Sequence, residues 1–190
     1  MNSLIKITIS LAFFIFFAGI SSCSTPHKES VHQEPVHQEY EDTELDWFCR
    51  GSNYYDEGKY KDAIESYKHA IEIKPDYVEA YFSLGVVYTQ MGMYQEAVNA
   101  HKQAIQINPD LLAAHYGLGL AYFQSGMYQE AIQANNQAIQ INPDDAETHL
   151  ALGVIYILLD DKDAALKEYE ILKELDPQMA NDLLEKIDKL

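Results

Sequence analysis

Positive charge is scarce in this chain. Thirteen Lys and Arg stand against thirty Asp and Glu over 190 residues, a formal net charge of −17. Phosphate backbones need a Lys/Arg footprint, so this balance argues against nucleic acid as a partner. Cysteine is scarcer: Cys23 and Cys49 alone, too few for a disulfide scaffold. The familiar catalytic patterns are missing too, with no phosphate-cradling glycine loop, no serine elbow and no Cys–His pair at a recognisable spacing. Asp160, Asp161 and Asp163 do not follow the spacing of a hand-type calcium loop and read as a helix–helix turn and cap. His27, His32 and His37 are spaced by five, off any one helical face, and no cluster completes a metal shell. We therefore expect no enzyme, no cofactor and no metal site.

A long membrane-spanning run is lacking as well. The run Ile7 to Ile20, preceded by Lys6, suits the core of a secretory signal. It is short for a spanning helix, which needs ~20 residues. It ends in Ile20-Ser21-Ser22-Cys23, which resembles the cleavage and lipidation box of bacterial lipoproteins. The resemblance implies removal of residues 1–22 and lipidation of Cys23, with Cys49 left as a free thiol. It also implies an exported protein anchored to the bacterial envelope, its soluble part facing the periplasm. Ser24 in place of an aspartate leans toward the outer membrane. The residues alone also allow cleavage without a lipid, or an uncleaved anchor. Residues 23–43 then form an acidic tether, with Pro26, Pro35 and a small duplication, Val31-His-Gln-Glu and Val36-His-Gln-Glu. Its low apolar content cannot offset the entropy of ordering, so it reads as disordered.

What is present is periodicity. Proline recurs at Pro75, Pro109, Pro143 and Pro177, a step of 34 residues, in phase with Gly51, Gly85, Gly119 and Gly153. Tyr54, Tyr88, Tyr122 and Tyr156 keep the same step, as do Ala63, Ala97, Ala131 and Ala165. A period in this range means stacked supersecondary units. Within one unit, Tyr81, Leu84, Gly85 and Tyr88 fall at i, i+3, i+4 and i+7, one face of a helix. Gly58, Gly92 and Gly126 suit the turn between paired helices, and Asp160 takes their place in the fourth unit. Each unit thus predicts two helices, about 44–57 and 60–73 in the first, repeated at the same step.

These residues resemble the tetratricopeptide repeat, whose pattern runs Trp, Leu-Gly, Tyr, Ala, an aromatic and Pro. Residues 44–77 carry Trp47, Gly51, Tyr54, Ala63, Tyr67 and Pro75, with Arg50 where leucine is expected. Residues 78–111, 112–145 and 146–179 follow, with Tyr81, His115 and His149 at the Trp47 position. The resemblance implies an all-α solenoid of four helix-turn-helix repeats. Residues 180–190 supply a capping helix, with Leu183, Leu184, Ile187 and Leu190 at helical spacing. His115 and His149 read as structural. His101 and Asn135, at the Tyr67 position, read as weak spots in packing.

A second stripe lies about 100–140° round each first helix, at ~100° per residue. It reads Phe48, Ser52, Tyr55; Phe82, Val86, Thr89; Tyr116, Leu120, Phe123; and Leu150, Val154, Ile157. In the family these positions line the concave surface that holds a partner peptide or helix, whereas packing between neighbouring helices is the competing reading. The Lys, Asn and Arg of carboxylate-binding relatives are missing, so that specificity is not carried over. The expectation is a lipid-anchored interaction module, adaptor or scaffold, taking an apolar or amphipathic segment of another envelope protein. The alternative is a self-associating module whose groove is filled by a second copy or by its own tether.

Overall fold

A computed structural model describes residues 42–189. The signal segment, Cys23 and nearly all of the tether lie outside the described residues. Nine helices follow one another in this region: α1 Glu44–Asp56, α2 Tyr60–Ile73, α3 Val78–Gln90, α4 Tyr94–Ile107, α5 Leu112–Gln124, α6 Tyr128–Ile141, α7 Ala146–Leu158, α8 Lys162–Leu175 and α9 Pro177–Ile187. No strand occurs among the described residues. The first helix of each pair ends one residue before the expected place, and the second helices fall on it.

The turns explain the pairing. Gly58, Gly92 and Gly126 adopt φ of 72°, 74° and 79°, a region open to glycine and strained for most side chains. Asp160 holds the same place at φ 59°. The following amide reaches back to Tyr54, Tyr88, Tyr122 or Tyr156 at 2.8–2.9 Å, closing a Schellman-type turn that satisfies an orphan carbonyl. At the other end, Lys74, Asn108 and Asn142 are extended because a proline follows each. Asn108 and Asn142 then accept from Asp110 and Asp144 amides at 3.2 Å, fixing the loop to the next repeat.

Alanine sets the helix spacing. Ala63, Ala97, Ala131 and Ala165 are wholly buried on the second helices, as are Ala70, Ala104 and Ala138. Each helix packs on its partner in the pair, and each second helix packs also on the helix that follows it. Of the like pairs, α3 and α5 touch, while no two second helices do so to the same extent. Closer spacing marks the inside of a curve, so the first helices form the inner layer.

The repeat glycines admit a side chain from the second helix. A Cβ on Gly51 would lie 2.6 Å from Tyr67, on Gly85 2.6 Å from His101, and on Gly119 2.4 Å from Asn135. His101 and Asn135 are each 1% exposed, and His101 Nδ1 and Asn135 Oδ1 have no hydrogen-bond partner. His115 and His149 are structural as expected. Their Nε2 atoms lie 2.9 and 2.8 Å from the carbonyls of Pro109 and Pro143, and His149 Nδ1 lies 2.7 Å from Glu168.

One expectation about the helices needs correction. The capping helix begins at Pro177, not at residue 180, because Asp176 both ends α8 and caps α9 through the Gln178 and Met179 amides. Proline at the first helical position has no amide to leave unpaired and starts the helix at once. Cys49 is disulfide-bonded in this unlipidated chain, whereas the free thiol is expected of the chain whose Cys23 carries lipid.

Candidate functional site: the inner helical layer

On the inner layer, Tyr55, Phe82, Val86, Thr89, Tyr116, Leu120, Phe123, Leu150, Val154 and Ile157 are all half-buried. Phe48 is not part of an open surface. It is 2% exposed, its ring 5.5 Å from Tyr67 and 5.3 Å from Tyr77, and it belongs to the core of the first repeat. Ser52 is buried too, donating to the Phe48 carbonyl at 3.1 Å. The stripe therefore closes in the first repeat. It is also occupied in the fourth, where Leu150, Val154 and Ile157 pack against the cluster that contains Ala180, Leu183 and Ile187 of α9.

The middle repeats keep it open. Val86, Leu120 and Phe123 belong to none of the three core clusters. Phe123 stacks loosely on Tyr128 at 5.8 Å, and Phe82 lies 5.7 Å from the His101 ring. Thr89 turns its hydroxyl back to the Gly85 carbonyl at 2.9 Å, so its polar atom is already satisfied. Tyr116 is held with its hydroxyl desolvated, and burial with the nearby Glu147 and Asp145 charges pushes its pKa up. Tyr55 is raised for the same first reason, with Tyr60 beside it at 5.6 Å.

Leu45 and Leu158, 55% and 47% exposed, fall outside the stripe that the sequence predicts. Leu45 stands three residues before Phe48 on the same face, and that spacing is the available signal. A shallow cleft lined by Ile105, Pro109, His115, Gln137, Gln140 and Ile141 shares no residue with the stripe. Among the described residues no group of His, Cys, Asp or Glu is placed to hold a metal ion, and no helix is long and apolar enough to cross a membrane.

A helical array with one apolar inner face defines a repeat solenoid. Residues 51–92, 87–126 and 119–160 match the TPR repeat model, and residues 146–179 match a second model, the tetratricopeptide repeat. The chain belongs to the tetratricopeptide repeat family, whose members mediate protein–protein interaction and scaffolding. No curated protein matches it. Among solved structures, it is similar to TTC0263, a thermophilic TPR protein of Thermus thermophilus, at 24% identity and a TM-score of 0.62 over 76% of this chain and 81% of that one. MamA residues 41-end from Desulfovibrio magneticus RS-1 align at 19% identity and a TM-score of 0.68, over 94% and 98% of the two chains. The first TPR of Spaghetti (RPAP3), bound to the HSP90 peptide SRMEEVD, aligns at 21% identity and a TM-score of 0.60, over 62% and 94%. These likenesses show the fold.

Proposed function

We propose that this chain is a lipid-anchored adaptor of the cell envelope that holds an apolar or amphipathic segment of another protein on its inner helical layer. One observation carries the reading: Val86, Leu120 and Phe123 are apolar, half-buried and outside every core cluster. Apolar surface that a fold leaves unpacked on one face is the usual mark of an interaction site. The test is a photo-crosslinking residue at position 123, with exposed Gln133 on the outer layer as the control position. The expected result is a defined adduct from position 123 alone, lost when Val86→Ser plus Leu120→Ser are added to a chain that keeps its helical signal. Adducts of equal yield from both positions would sink the reading. An adduct with a second copy of the chain would establish the self-associating alternative, which light scattering would confirm.

The anchor is part of the same proposal: residues 1–22 are removed and Cys23 is lipidated, in the outer membrane. One acyl chain holds a protein only marginally at ~0.8 kcal/mol per buried CH₂, whereas two or three hold it firmly. Cys23 and Cys49 are the chain's only cysteines. One sulfur cannot be both a thioether and half of a disulfide, so lipid and a bond to Cys49 are competing fates of the same atom. Mass spectrometry of the mature N-terminus separates them. An acylated Cys23 is expected as residue one; a Cys23–Cys49 cystine peptide, or an intact Met1, ends the anchor.

A further inference from the structure

The inner layer carries almost no positive charge. Helices α3, α5 and α7 contain no Lys or Arg, and Arg50 of α1 is held by Asp42 at 3.0 Å and lies over the Trp47 ring. The lysines of the described region stand on the second helices, on or after α9, and in the turns. Carboxylates extend the apolar stripe instead. Glu79 and Glu147 occupy the same place two repeats apart, three residues before Phe82 and Leu150. An acid in the first turn favours a helix in its own right, and that accounts for exposed Glu79. It does not account for Glu147, which is half-buried beside Tyr116 and Asp145. None of the ion pairs among the described residues includes Glu147. Burial, then Asp145, raises its pKa.

A partly desolvated carboxylate without a counter-ion is stabilised by the arrival of a cation that hydrogen-bonds to it. We infer that the occupant of the inner layer is a cationic amphipathic segment of another protein, setting apolar side chains on Val86, Leu120 and Phe123 and a Lys or Arg against Glu147 and Glu79. This rests on the groove reading above. The chain's own tether does not fit, because Glu29, Glu34, Glu39, Glu41 and Asp42 oppose a single Lys28. A second copy presenting its inner layer would set carboxylates against carboxylates.

Fluorescence anisotropy on the full chain tests this, with a labelled amphipathic Leu/Lys peptide and a twin carrying Glu for every Lys. The Lys peptide should bind, more weakly as salt rises, and the Glu twin should not. Glu79→Gln plus Glu147→Gln should weaken binding about tenfold, or ~1.4 kcal/mol. Glu96→Gln plus Glu130→Gln, first-turn acids of α4 and α6 on the outer layer, makes the same change in net charge and should leave affinity unchanged. Equal losses from the two pairs would mean attraction to overall charge and would overturn the inference. Equal binding of the two peptides would overturn the cationic assignment while leaving the groove intact. Binding unaffected by Leu120→Ser plus Phe123→Ser would overturn the groove itself, as would failure of both peptides to bind. Circular dichroism on each variant confirms that the array is folded.

Discussion

His101 and Asn135 stand where Tyr67 fills the gap against Gly51, and both leave a buried polar atom unpartnered. The phenol of Tyr67 donates to Ser52 at 3.3 Å, but the residue corresponding to Ser52 is Val86 in the second repeat and Leu120 in the third. Burial holds the His101 imidazole neutral, its pKa lowered to about 3, against an ordinary value near 6.5 in the unfolded chain. Between these values the unfolded state binds more protons. The contribution of His101 is therefore intact above about pH 6.5 and is lost on acidification, by ~1.4 kcal/mol per pH unit. In urea titrations, wild type should lose ~2 kcal/mol more than His101→Leu between pH 7 and pH 5; parallel slopes would refute the assignment. Asn135→Leu keeps the branched shape and removes the unpaired carbonyl, and should stabilise by ~1 kcal/mol at pH 7. The weakness of both positions is legible from the repeat register. That Gly85 and Gly117 clamp the His101 ring from two sides is not, because Gly117 stands off the repeat pattern.

Helix ends are legible to different degrees for a physical reason. The ends of the first helices are written in glycine, and those of the second helices in proline. Thr43, Asp145, Asp161 and Asp176 cap the helices they precede, but the other starts are not written in caps: Lys59, Tyr77, Met93, Leu111 and Met127 make no side-chain capping bond. Their positions follow from the period alone, since packing of an amphipathic face supplies most helical stability in a protein. Proline also misleads, because it ends one helix and can begin another; at Pro177 it does the second. The repeating stripe places Phe48 on the surface, yet Tyr77 covers it, and the corresponding residues Leu111 and Asp145 are smaller than a tyrosine. Strain at these turns can be both added and removed. Gly126→Ala forces a side chain into positive φ and should destabilise by ~1 kcal/mol, while Asp160→Gly should relieve strain and stabilise by a few tenths. Thermal unfolding followed by circular dichroism decides it, and a loss of stability in Asp160→Gly would mean that the fourth turn draws support from its aspartate.

At the scale of the whole array, the end is closed by a substitution of partners. In the first three repeats the glycine of the first helix receives a side chain from the second helix of the same pair, whereas Gly153 receives Leu183 of α9 at 2.5 Å from where a Cβ would stand. Leu183 and Ile187 are wholly buried, with Ala165 and Leu172 of α8 in the same cluster. Lys162 also donates to the Ile187 carbonyl at 3.4 Å. Helix α9 therefore serves as both the missing neighbour of the fourth repeat and its missing side chain. A Leu183→Asp variant puts an unpaired carboxylate into that cluster and should destabilise the end of the array by ~3 kcal/mol or more. Stability in such arrays is close to a sum of nearest-neighbour terms, so the loss should stay local. Hydrogen exchange should then show α7, α8 and α9 opening first while α1 to α4 keep their protection, and Asn181→Asp, an exposed change on the same helix, should leave the pattern alone. If Leu183→Asp speeds exchange equally in all nine described helices, the array is one cooperative unit and the local account of its end is wrong.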